Sequence, residues 1–388
     1  MSEIRWIESG TEQSAPWHSE NGTPAPRRVV IADDRTRADT AYRLASEGTA
    51  LLWRGDFHNA RQLLRAMGRR TDRADTRRTG RTHRPSGAPD EAVPAEAFHS
   101  YRRDRERRAR ILGMLLMRLE DDHTLALGRA PDVQEACAQA YGPAERPRVV
   151  SLRELLGVIG ARQWRIRGVD VPALGARVHA HYGVFSPVRG EYVDLVAEAP
   201  LPDPAAGGRP RTAFEIGTGT GVLAAVLARR GIERIVATDI SARAVDCARE
   251  NARRLELADR IDIRHTDLFP PGRAGLVVCN PPWLPARPAS SLDQGVYDPE
   301  GRMLHGFLAG LAGHLEPGGE GWLVLSDLAE RLGLRTRAQL LAAFGAAGPA
   351  VAARLDIRPR HGRATDPGDP LHTARAAEVT SLWRLTVR

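Results

Sequence analysis

The spacing of apolar residues predicts helices in the first part of the chain. From Thr36 onward apolar residues recur every three to four positions, which is the period of an amphipathic helix. Gly55-Asp56 interrupts this pattern, and Asp56 is suited to cap a second helix because its carboxylate can accept free N–H groups of a first turn. A third helix is predicted over about 95–120, with a first half rich in arginine and a second half rich in leucine.

Two polar stretches accompany these helices. Residues 1–36 are of mixed polarity and contain Pro24 and Pro26, so we predict a loosely ordered start. Residues 69–94 lack apolar periodicity and are dense in Arg, Thr, Asp, Gly and Pro, which predicts an exposed linker or loop. The first part of the chain therefore predicts a mainly helical, arginine-rich accessory domain over residues 37–148.

The pattern changes to short strands after about residue 148. A β-hairpin connector is predicted over 149–200, because strand-like runs at Trp164–Val171 and Arg177–Phe185 lie on both sides of Pro172 and Gly175. Pro200–Pro210 is rich in Pro, Gly and Ala and predicts a linker. From Thr212 strands alternate with helices, which is the signature of a parallel α/β sheet, and we predict a Rossmann-like domain over 201–388. The predicted strands are Thr212–Ile216, Arg234–Thr238, Ile261–His265, Leu276–Cys279, Gly321–Leu325 and Glu378–Val387, with helices at about 221–230, 241–255, 302–315 and 335–346.

Composition narrows the class of protein. The 388 residues are 42 % apolar, which allows a sizeable core and about two domains. The formal net charge is +8, but the sequence contains no lysine, and abundant Ala, Gly and Pro suggest a GC-rich coding background. The three cysteines are widely spaced, so we expect no disulfide and no metal site. The first ten residues lack an apolar core, and no apolar run approaches the ~18 residues of a membrane span, so we expect a cytoplasmic protein.

Arginine clusters are the main sign of a nucleic-acid partner. Seven arginines lie within 69–84 and six more within 102–110. Such clusters neutralise phosphates, which is the principal source of non-specific affinity for nucleic acids. The alternative is a solvated surface that reflects the arginine-only composition.

A glycine-rich turn follows the first strand of the predicted sheet. Residues 214–221 read Phe-Glu-Ile-Gly-Thr-Gly-Thr-Gly, and glycines there let the backbone turn tightly and approach a ligand closely. The nicotinamide fingerprint GxGxxG would need glycine where the chain has Val222, and a P-loop requires a lysine. The remaining pattern is ExGxGxG, with Glu215 two positions before the first glycine.

Two acids follow the next two strands. Asp239 lies about 20 residues after the glycine turn, where a carboxylate would bind ribose hydroxyls. Asp267 and Leu268 follow the third strand and are placed to meet the edge and face of an adenine. As an alternative, each acid could be an ordinary helix N-cap.

Val277–Trp283 carries the strongest chemical signal and reads Val-Val-Cys-Asn-Pro-Pro-Trp. Two successive prolines fix φ and remove two amide donors, which suits a turn that presents the carbonyl of Pro281 beside the side-chain oxygen of Asn280. With Trp283 as a flat face, these acceptors suit a planar NH2 group. Holding both N–H bonds favours a pyramidal nitrogen, which is closer to the transition state of nucleophilic attack. A structural proline turn with a core tryptophan is the alternative.

In their order, the glycine turn and the two acids resemble the class I S-adenosylmethionine-dependent methyltransferases. This resemblance implies a seven-stranded methyltransferase sheet and S-adenosylmethionine as the cofactor. It implies cofactor contacts from Glu215, Gly217, Thr218, Gly219, Gly221, Asp239, Ile240, Asp267, Leu268 and Asn280.

The Asn-Pro-Pro-Trp turn looks like the NPP[YFW] motif of methyltransferases that act on exocyclic or amide nitrogens. That resemblance implies Asn280, Pro281, Pro282 and Trp283 as the target-nitrogen site. Two branches of the family match neighbouring segments. His181–Pro187 is similar to the GVFS segment of ribosomal RNA guanine-N2 methyltransferases, and Trp283–Pro285 is similar to the NPPYIP of HemK-type glutamine methyltransferases. The chain departs from both, with Trp in place of Tyr or Phe and Arg189–Glu191 in place of the Thr-Glu of HemK proteins.

Two further segments are predicted to border the site. Phe185, Pro187 and Glu191 are expected to form a wall of the cofactor cavity, unless they only pack the hairpin. Pro285–Arg302 is an unusually long connection between a strand and its helix, which favours a substrate loop or lid over a plain surface insertion.

The sequence thus predicts an S-adenosylmethionine-dependent N-methyltransferase that acts on a planar exocyclic amino or amide nitrogen. The GVFS segment, the Asn-Pro-Pro-Trp turn and the arginine clusters favour RNA, chiefly ribosomal RNA or a ribosomal particle, as the partner. Glutamine methylation of a translation protein is one alternative, and a catalytically silent RNA-binding module of the same fold is another. A dehydrogenase is disfavoured.

Overall fold

The computed structural model describes residues 2–79, 95–203, 210–290, 292–360, 362 and 366–387. These residues fall into two compact units. One unit is built from the described parts of Met1–Asp90 and His99–Gln163, and the other chiefly from those of Trp164–Arg388.

The amino-terminal region contains a two-stranded hairpin, β1–β2, and a four-stranded sheet of order β3-β4-β5-β6. Strands β3, β4 and β5 are parallel, and β6 is antiparallel to β5. The strands are β1 (Glu3–Glu8), β2 (Thr11–Pro16), β3 (Arg28–Ala32), β4 (Thr49–Trp53), β5 (Leu115–Leu119) and β6 (Arg148–Ser151). The helices are α1 (Ala38–Ser46), α2 (Phe57–Thr79), α3 (Ala95–Leu112), α4 (Gln134–Tyr141) and α5 (Leu152–Arg167).

The start of the chain is ordered, so the prediction of a loosely ordered segment over 1–36 is wrong. Ile4 and Trp6 are buried on one face of β1 and alternate with exposed residues, as in a half-buried strand. Ser9 and Gly10 both have positive φ and make the tight turn into β2. The prolines at 24 and 26 lie beyond this hairpin and do not interrupt it.

The amino-terminal region holds the predicted first two helices, but its sheet corrects the prediction of a mainly helical domain over 37–148. Every residue of β4 is buried, and so are four of the five in β5. A strand that is buried on both faces is a continuous apolar run, and periodicity cannot separate such a run from a buried helix. Asp56 caps α2 as predicted, because its Oδ1 accepts the N–H of His58 at 2.8 Å.

Helix α2 extends further than predicted, and α3 ends earlier. The predicted linker over 69–94 begins inside α2, where Arg70 donates to Asp39 at 2.6 Å and Thr71 is buried. These tertiary contacts stabilise helical turns that lack an apolar period. Residues 80–94, the remainder of that prediction, lie outside the described residues. Helix α3 stops at Leu112, and the leucine-rich second half of the predicted helix is strand β5.

The carboxyl-terminal unit contains a short hairpin and a seven-stranded sheet flanked by helices. Its strands are β7 (Val169–Val171), β8 (Ala176–Val178), β9 (Thr212–Ile216), β10 (Arg234–Asp239), β11 (Ile261–His265), β12 (Ala274–Cys279), β13 (Leu315–Ser326), β14 (Ala350–Ile357) and β15 (Thr380–Thr386). Its helices are α6 (Glu191–Glu198), α7 (Val222–Arg229), α8 (Ala242–Arg254), α9 (Arg302–His314), α10 (Leu328–Arg331), α11 (Arg337–Ala347) and α12 (His372–Ala376).

The large sheet has the order β11-β10-β9-β12-β13-β15-β14. Strand β15 pairs antiparallel with both β13 and β14, and the other neighbouring pairs are parallel. The chain order reverses between β9 and β12, which lie side by side at the centre. Ligands of open α/β sheets bind at such a switch point, outside the carboxyl ends of the strands. The predicted Rossmann-like sheet is therefore confirmed, and it brings the ends of β9, β10, β11 and β12 to one edge.

The connector predicted over 149–200 is only partly a hairpin. Strands β7 and β8 pair as predicted. The predicted strand over 164–171 is wrong in its first half, because Leu152, Leu155 and Val158 recur at helical spacing and pack α5 into the core. The centre of the predicted 200–210 linker, residues 204–209, lies outside the part of the chain that the structure describes.

Candidate active site

The glycine turn after β9 is held against the end of β10. The N–H groups of Gly217 and Thr218 both donate to the carbonyl of Thr238, at 2.9 and 2.8 Å. Gly217, Gly219 and Gly221 all have positive φ, a conformation that favours glycine. A Cβ on Gly217 would lie 2.3 Å from Cε of Met303, so the end of the Met303 side chain would have to move to admit it.

Glu215 lies beneath this turn rather than on its surface. Its Oε2 accepts the hydroxyl of Thr218 at 2.5 Å and the N–H of Ala224 at 3.0 Å. The side chain is 2 % exposed, and this burial raises the pKa of Glu215 to about 8. Glu215 therefore ties the glycine turn to the first turn of α7.

The two acids predicted to bind the nucleoside are not helix caps. Asp239 accepts the N–H of Gly219 and the N–H of Ser241, each at 2.9 Å, while Ser241 itself caps α8. Burial raises the pKa of Asp239. Asp267 lies in the loop between β11 and β12, where no helix begins, and it forms an ion pair with Arg302 at 2.5 Å. The N-cap alternative therefore does not explain either residue.

A cavity of about 210 Å³ lies at this edge of the sheet. Eleven residues predicted for the site line it: Phe185, Glu215, Gly217, Thr218, Gly219, Asp239, Ile240, Asp267, Leu268, Asn280 and Pro282. Five predicted residues do not: Pro187, Glu191, Gly221, Pro281 and Trp283. Residues that sequence reasoning missed complete the lining: Gly183, Val184, Tyr192, Ile216, Thr220, Val222, Leu223, Ser241, Ala244, Thr266, Gln294, Gly295, Arg302 and Met303.

Gly221 has a different role from the other two glycines. A Cβ at this position would lie 3.2 Å from Cβ and 3.3 Å from Cα of Ala248. Gly221 thus permits close packing of the turn on α8 instead of ligand contact.

The Asn-Pro-Pro-Trp turn begins where the fully buried strand β12 ends. Pro281 is buried, while Asn280, Pro282 and Trp283 are half-buried. The indole Nε1–H of Trp283 donates to Oδ1 of Asn280 at 2.9 Å. Trp283 packs in part against the apolar layers on both faces of the sheet. The indole is therefore neither a fully exposed stacking surface nor a fully buried core side chain.

The segment before α6 reaches the cavity through the residues of the GVFS stretch. Val184 packs on Ala244 and Cys247 of α8. Phe185 lies against the backbone of Gly295, where a Cβ would come within 2.8 Å of the Phe185 Cβ. These contacts explain why Val184 and Phe185 line the cavity.

Glu191 begins α6, is 3 % exposed, and does not reach the cavity. Burial raises the pKa of this carboxyl, and its Oε1 has no hydrogen-bond partner among the described residues. The predicted wall is therefore formed by Phe185, without Pro187 or Glu191.

The long connection between β12 and α9 folds back on itself and contributes to the site. Leu284 donates its N–H to the carbonyl of Val296 at 3.1 Å, and its own carbonyl accepts the N–H of Asp298 at 2.9 Å. The Asp298 carboxylate in turn accepts the N–H of Met303 at 2.9 Å, in the first turn of α9. Gln294 and Gly295 of this connection line the cavity. The described part of the connection is thus a loop that backbone and side-chain hydrogen bonds hold in place beside the cavity.

The described residues offer neither a membrane span nor a metal centre. No described helix has the length and apolar character needed to cross a membrane. Within the same residues, no three His, Cys, Asp or Glu side chains come together as metal ligands.

Residues 175–347, from β8 to the end of α11, match the profile of the methyltransferase small domain. This part of the chain, which is less than half of it, is similar to that family. The recognition of a class I S-adenosylmethionine-dependent methyltransferase domain is therefore confirmed, with S-adenosylmethionine as the cofactor of that enzyme class.

Curated relatives match parts of this chain. A release factor glutamine methyltransferase of Cereibacter sphaeroides is 35 % identical over 177 residues, which are 42 % of this chain and 60 % of the relative. A tRNA1(Val) (adenine(37)-N6)-methyltransferase of Vibrio parahaemolyticus is 40 % identical over 79 residues, or 19 % of this chain and 33 % of the relative. The chain thus spans less than two thirds of the length of these relatives.

A solved structure is also similar to this chain. The ribosomal protein L11 methylase of Lactobacillus delbrueckii subsp. bulgaricus is 20 % identical, with a TM-score of 0.35. The match covers 53 % of this chain and 81 % of that protein.

Proposed function

We propose that this protein transfers a methyl group from S-adenosylmethionine to a planar amino or amide nitrogen. The observation that carries the proposal is that Asn280, from the end of β12, lines the same cavity as Gly217 and Gly219 of the glycine turn. A two-substrate transfer requires that the site for the methyl donor and the residue that binds the methyl acceptor face the same cavity. Holding the two substrates together can lower the activation barrier by roughly 7–11 kcal/mol.

The residues of the cavity fit the proposed cofactor. Two carboxylates, Asp239 and Asp267, can accept hydrogen bonds from ribose hydroxyls and from an adenine amine. Ile240 is 61 % exposed at the rim and can cover an adenine face, and the positive-φ glycines leave room for a close approach. When bound, S-adenosylmethionine would supply an electrophilic methyl group.

On the acceptor side, the chain would act by orientation. An amide oxygen has two lone pairs, so Oδ1 of Asn280 can accept an N–H of the acceptor in addition to the indole N–H of Trp283. A planar NH2 group is a poor nucleophile because its lone pair is delocalised. A fixed acceptor for one of its N–H bonds favours the pyramidal geometry of the transition state.

RNA is the acceptor we propose, with a ribosomal or other translation-related partner. Support comes from the formal charge of +8 and from helix α3, where Arg103, Arg105 and Arg110 are exposed. One relative is named for methylation of a tRNA adenine. A glutamine side chain of a translation protein is the second candidate, because the relative with the longer match is named for it.

Replacement of Asn280 by Ala tests the role of the turn. We expect Asn280→Ala to retain S-adenosylhomocysteine affinity within a few-fold and to lower kcat by about 10²-fold, since an oriented polar partner of the transition state is removed. Calorimetry measures the affinity, and transfer of a labelled methyl group measures the turnover. Asn59→Ala, in the amino-terminal unit, is the matched control and should change neither. Unchanged turnover in Asn280→Ala would refute the assigned role.

The acceptor class is tested by labelling. A lysate of a strain that lacks this protein is incubated with the purified protein and tritiated S-adenosylmethionine, and RNA and protein are then separated. Label in RNA supports the proposal, and label in protein supports glutamine methylation. Binding of S-adenosylhomocysteine without any label transfer would favour the silent RNA-binding module.

A further inference from the structure

The tryptophan of the Asn-Pro-Pro-Trp turn makes a contact that Tyr or Phe in its place could not make in the same way. Its indole Nε1–H lies 2.9 Å from Oδ1 of Asn280, three residues earlier in the chain. An indole N–H is only a donor, so this bond selects the oxygen end of the amide and not its NH2 end. One lone pair of the oxygen remains for another donor.

The indole is itself held by a cation. The guanidinium carbon of Arg189 lies 5.7 Å from the centroid of the Trp283 ring, within the range of a cation–π contact. The Arg189 side chain is 17 % exposed, so water screens this contact only in part. Arg189 lies just before α6, in the segment where the chain departs from the HemK pattern.

A buried carboxylate holds the guanidinium in turn. Nη1 of Arg189 donates to Oε1 of Glu378 at 3.1 Å, and Glu378 is 0 % exposed. The same oxygen accepts the hydroxyl of Ser326 at 2.6 Å, and Ser326 is the last residue of β13. A buried, charge-assisted pair restricts both partners to one geometry, because leaving either charge unpaired is costly.

These contacts form one continuous path. Ser326, at the end of β13, and Glu378, two residues before β15, fix Arg189. Arg189 in turn holds the indole, and the indole orients the amide of Asn280. None of Arg189, Glu378 and Ser326 lines the cavity. The path that these contacts provide to the cavity runs through Trp283 to Asn280, which lines it.

We infer that Arg189 and Glu378, acting through the indole N–H of Trp283, are positioning residues that keep the Asn280 oxygen directed for the methyl acceptor. This inference rests on the proposed function for its kinetic part. Its structural part, the state of the indole N–H, can be measured without any turnover.

The first experiment follows the indole N–H by NMR. The full-length protein is labelled with ¹⁵N-tryptophan, which gives seven indole signals, and the signal that disappears in Trp283→Phe is assigned to Trp283. We expect this signal to shift and to exchange faster with water in Asn280→Ala and in Arg189→Gln. Arg177→Gln, at an exposed ion pair with Asp170, should leave it unchanged. A Trp283 signal that is the same in all of these variants would overturn the inference, whatever the protein methylates.

The second experiment measures turnover in Trp283→Phe, which keeps an aromatic ring but removes the donor. We expect kcat to fall about three- to ten-fold with little change in the KM for S-adenosylmethionine, as for the loss of one neutral hydrogen bond. In the Asn280→Ala background the same change should have almost no further effect, because the partner is already absent. Trp164→Phe, an exposed tryptophan on α5, is the matched control. Full additivity of the two changes would contradict the inference.

Arginine 189 is tested by a pair of substitutions. Arg189→Lys keeps the cation and should retain most of kcat, whereas Arg189→Gln and Glu378→Gln should lower kcat with the KM for S-adenosylmethionine nearly unchanged. Thermal unfolding of each variant shows whether it is folded. Wild-type kcat in folded Arg189→Gln would overturn the positioning role. If the wild type transfers no methyl group to any acceptor, the proposed function fails. The NMR experiment then still tests whether Arg189 and Asn280 hold the indole N–H of Trp283.

Discussion

At the scale of single residues, the structure separates roles that look alike in the sequence. Glu215 and Asp239 are both acids beside the glycine turn, but Glu215 is bonded to Thr218 and Ala224 within the turn and α7. Asp239 is bonded to Gly219 and Ser241 at the rim. The carboxyl of Glu215 therefore contributes chiefly to the shape of the site, and this role has a consequence for stability.

Burial raises the pKa of Glu215 to about 8 from an ordinary value of 4.5. The folded protein keeps a proton that the unfolded chain releases, so this contribution to stability is complete below pH 4.5 and disappears as the pH rises toward 8. We expect Glu215→Gln to remove part of the decline of the unfolding free energy between about pH 5 and 8, by up to roughly 1 kcal/mol per pH unit.

Urea unfolding across this pH range measures the effect. Glu233→Gln, at an exposed position, is the control and should retain the wild-type pH dependence. An identical pH dependence in Glu215→Gln and wild type would contradict the assignment of the proton to Glu215.

The residue scale also shows how far the site can be predicted from sequence. The glycine turn, Asp239, Asp267 and Asn280 are predictable because they follow strand ends, and the ends of parallel strands meet at one edge. Tyr192 and Met303 are not, because they lie in the first turns of α6 and α9, and only the packing of those helices brings them to the cavity.

At the scale of elements, buried strands and polar helices are the ones that the sequence pattern misjudges. Strand β4 is buried throughout, so its pattern is that of a buried helix, and the polar end of α2 has the pattern of a linker. Strand β14 escapes prediction because most of its residues are exposed and no apolar alternation marks it. Strands β9, β10, β11 and β12 are predicted within two residues at each end, whereas β13 begins at Leu315, six residues before the predicted start at Gly321.

The loop before α9 allows a prediction at this scale. Asp298 is 6 % exposed and accepts the N–H groups of Met303 and Leu304, at 2.9 and 3.3 Å. We expect Asp298→Ala to lower the free energy of unfolding by about 1–2 kcal/mol, as for the loss of a helix cap. It should also weaken S-adenosylhomocysteine binding, because Met303 and Arg302 line the cavity.

Urea unfolding and calorimetry measure these two quantities. Asp293→Ala is the control for the cap, because the Asp293 carboxylate lies in the same loop but accepts the N–H of Ala289 and not an N–H of α9. Wild-type stability and affinity in Asp298→Ala would show that the loop is held by other contacts.

At the scale of the whole molecule, charge is the property that bears on the partner. The sequence has no lysine, so arginine supplies all 56 permanently cationic side chains, and those of Arg103, Arg105 and Arg110 are exposed on α3. Binding to phosphates releases counterions, so the number of phosphates bound can be read from the salt dependence of the affinity. The RNA proposal therefore makes a quantitative prediction.

We expect the triple replacement of Arg103, Arg105 and Arg110 by Gln to weaken RNA binding at low salt. The slope of log affinity against log salt should fall by about 0.7 for each phosphate of single-stranded RNA that the variant no longer neutralises. Fluorescence anisotropy with a labelled RNA measures both. The control is the triple Gln variant at the exposed arginines 5, 35 and 37, which removes the same charge. An equal reduction in both variants would mean that bulk charge, and not α3, binds the RNA.

The sequence by itself determined six of the seven strands of the large sheet, the glycine turn and the Asn-Pro-Pro-Trp turn, because strand–helix alternation and turn chemistry are local properties. Only the tertiary structure decided which acids reach the cavity and what surrounds the tryptophan. Arg189, Trp283 and Glu378 are distant in sequence, and their contacts depend on the packing of α6 and the pairing of β13 with β15. Such contacts follow from the topology of the sheet, which no local pattern encodes.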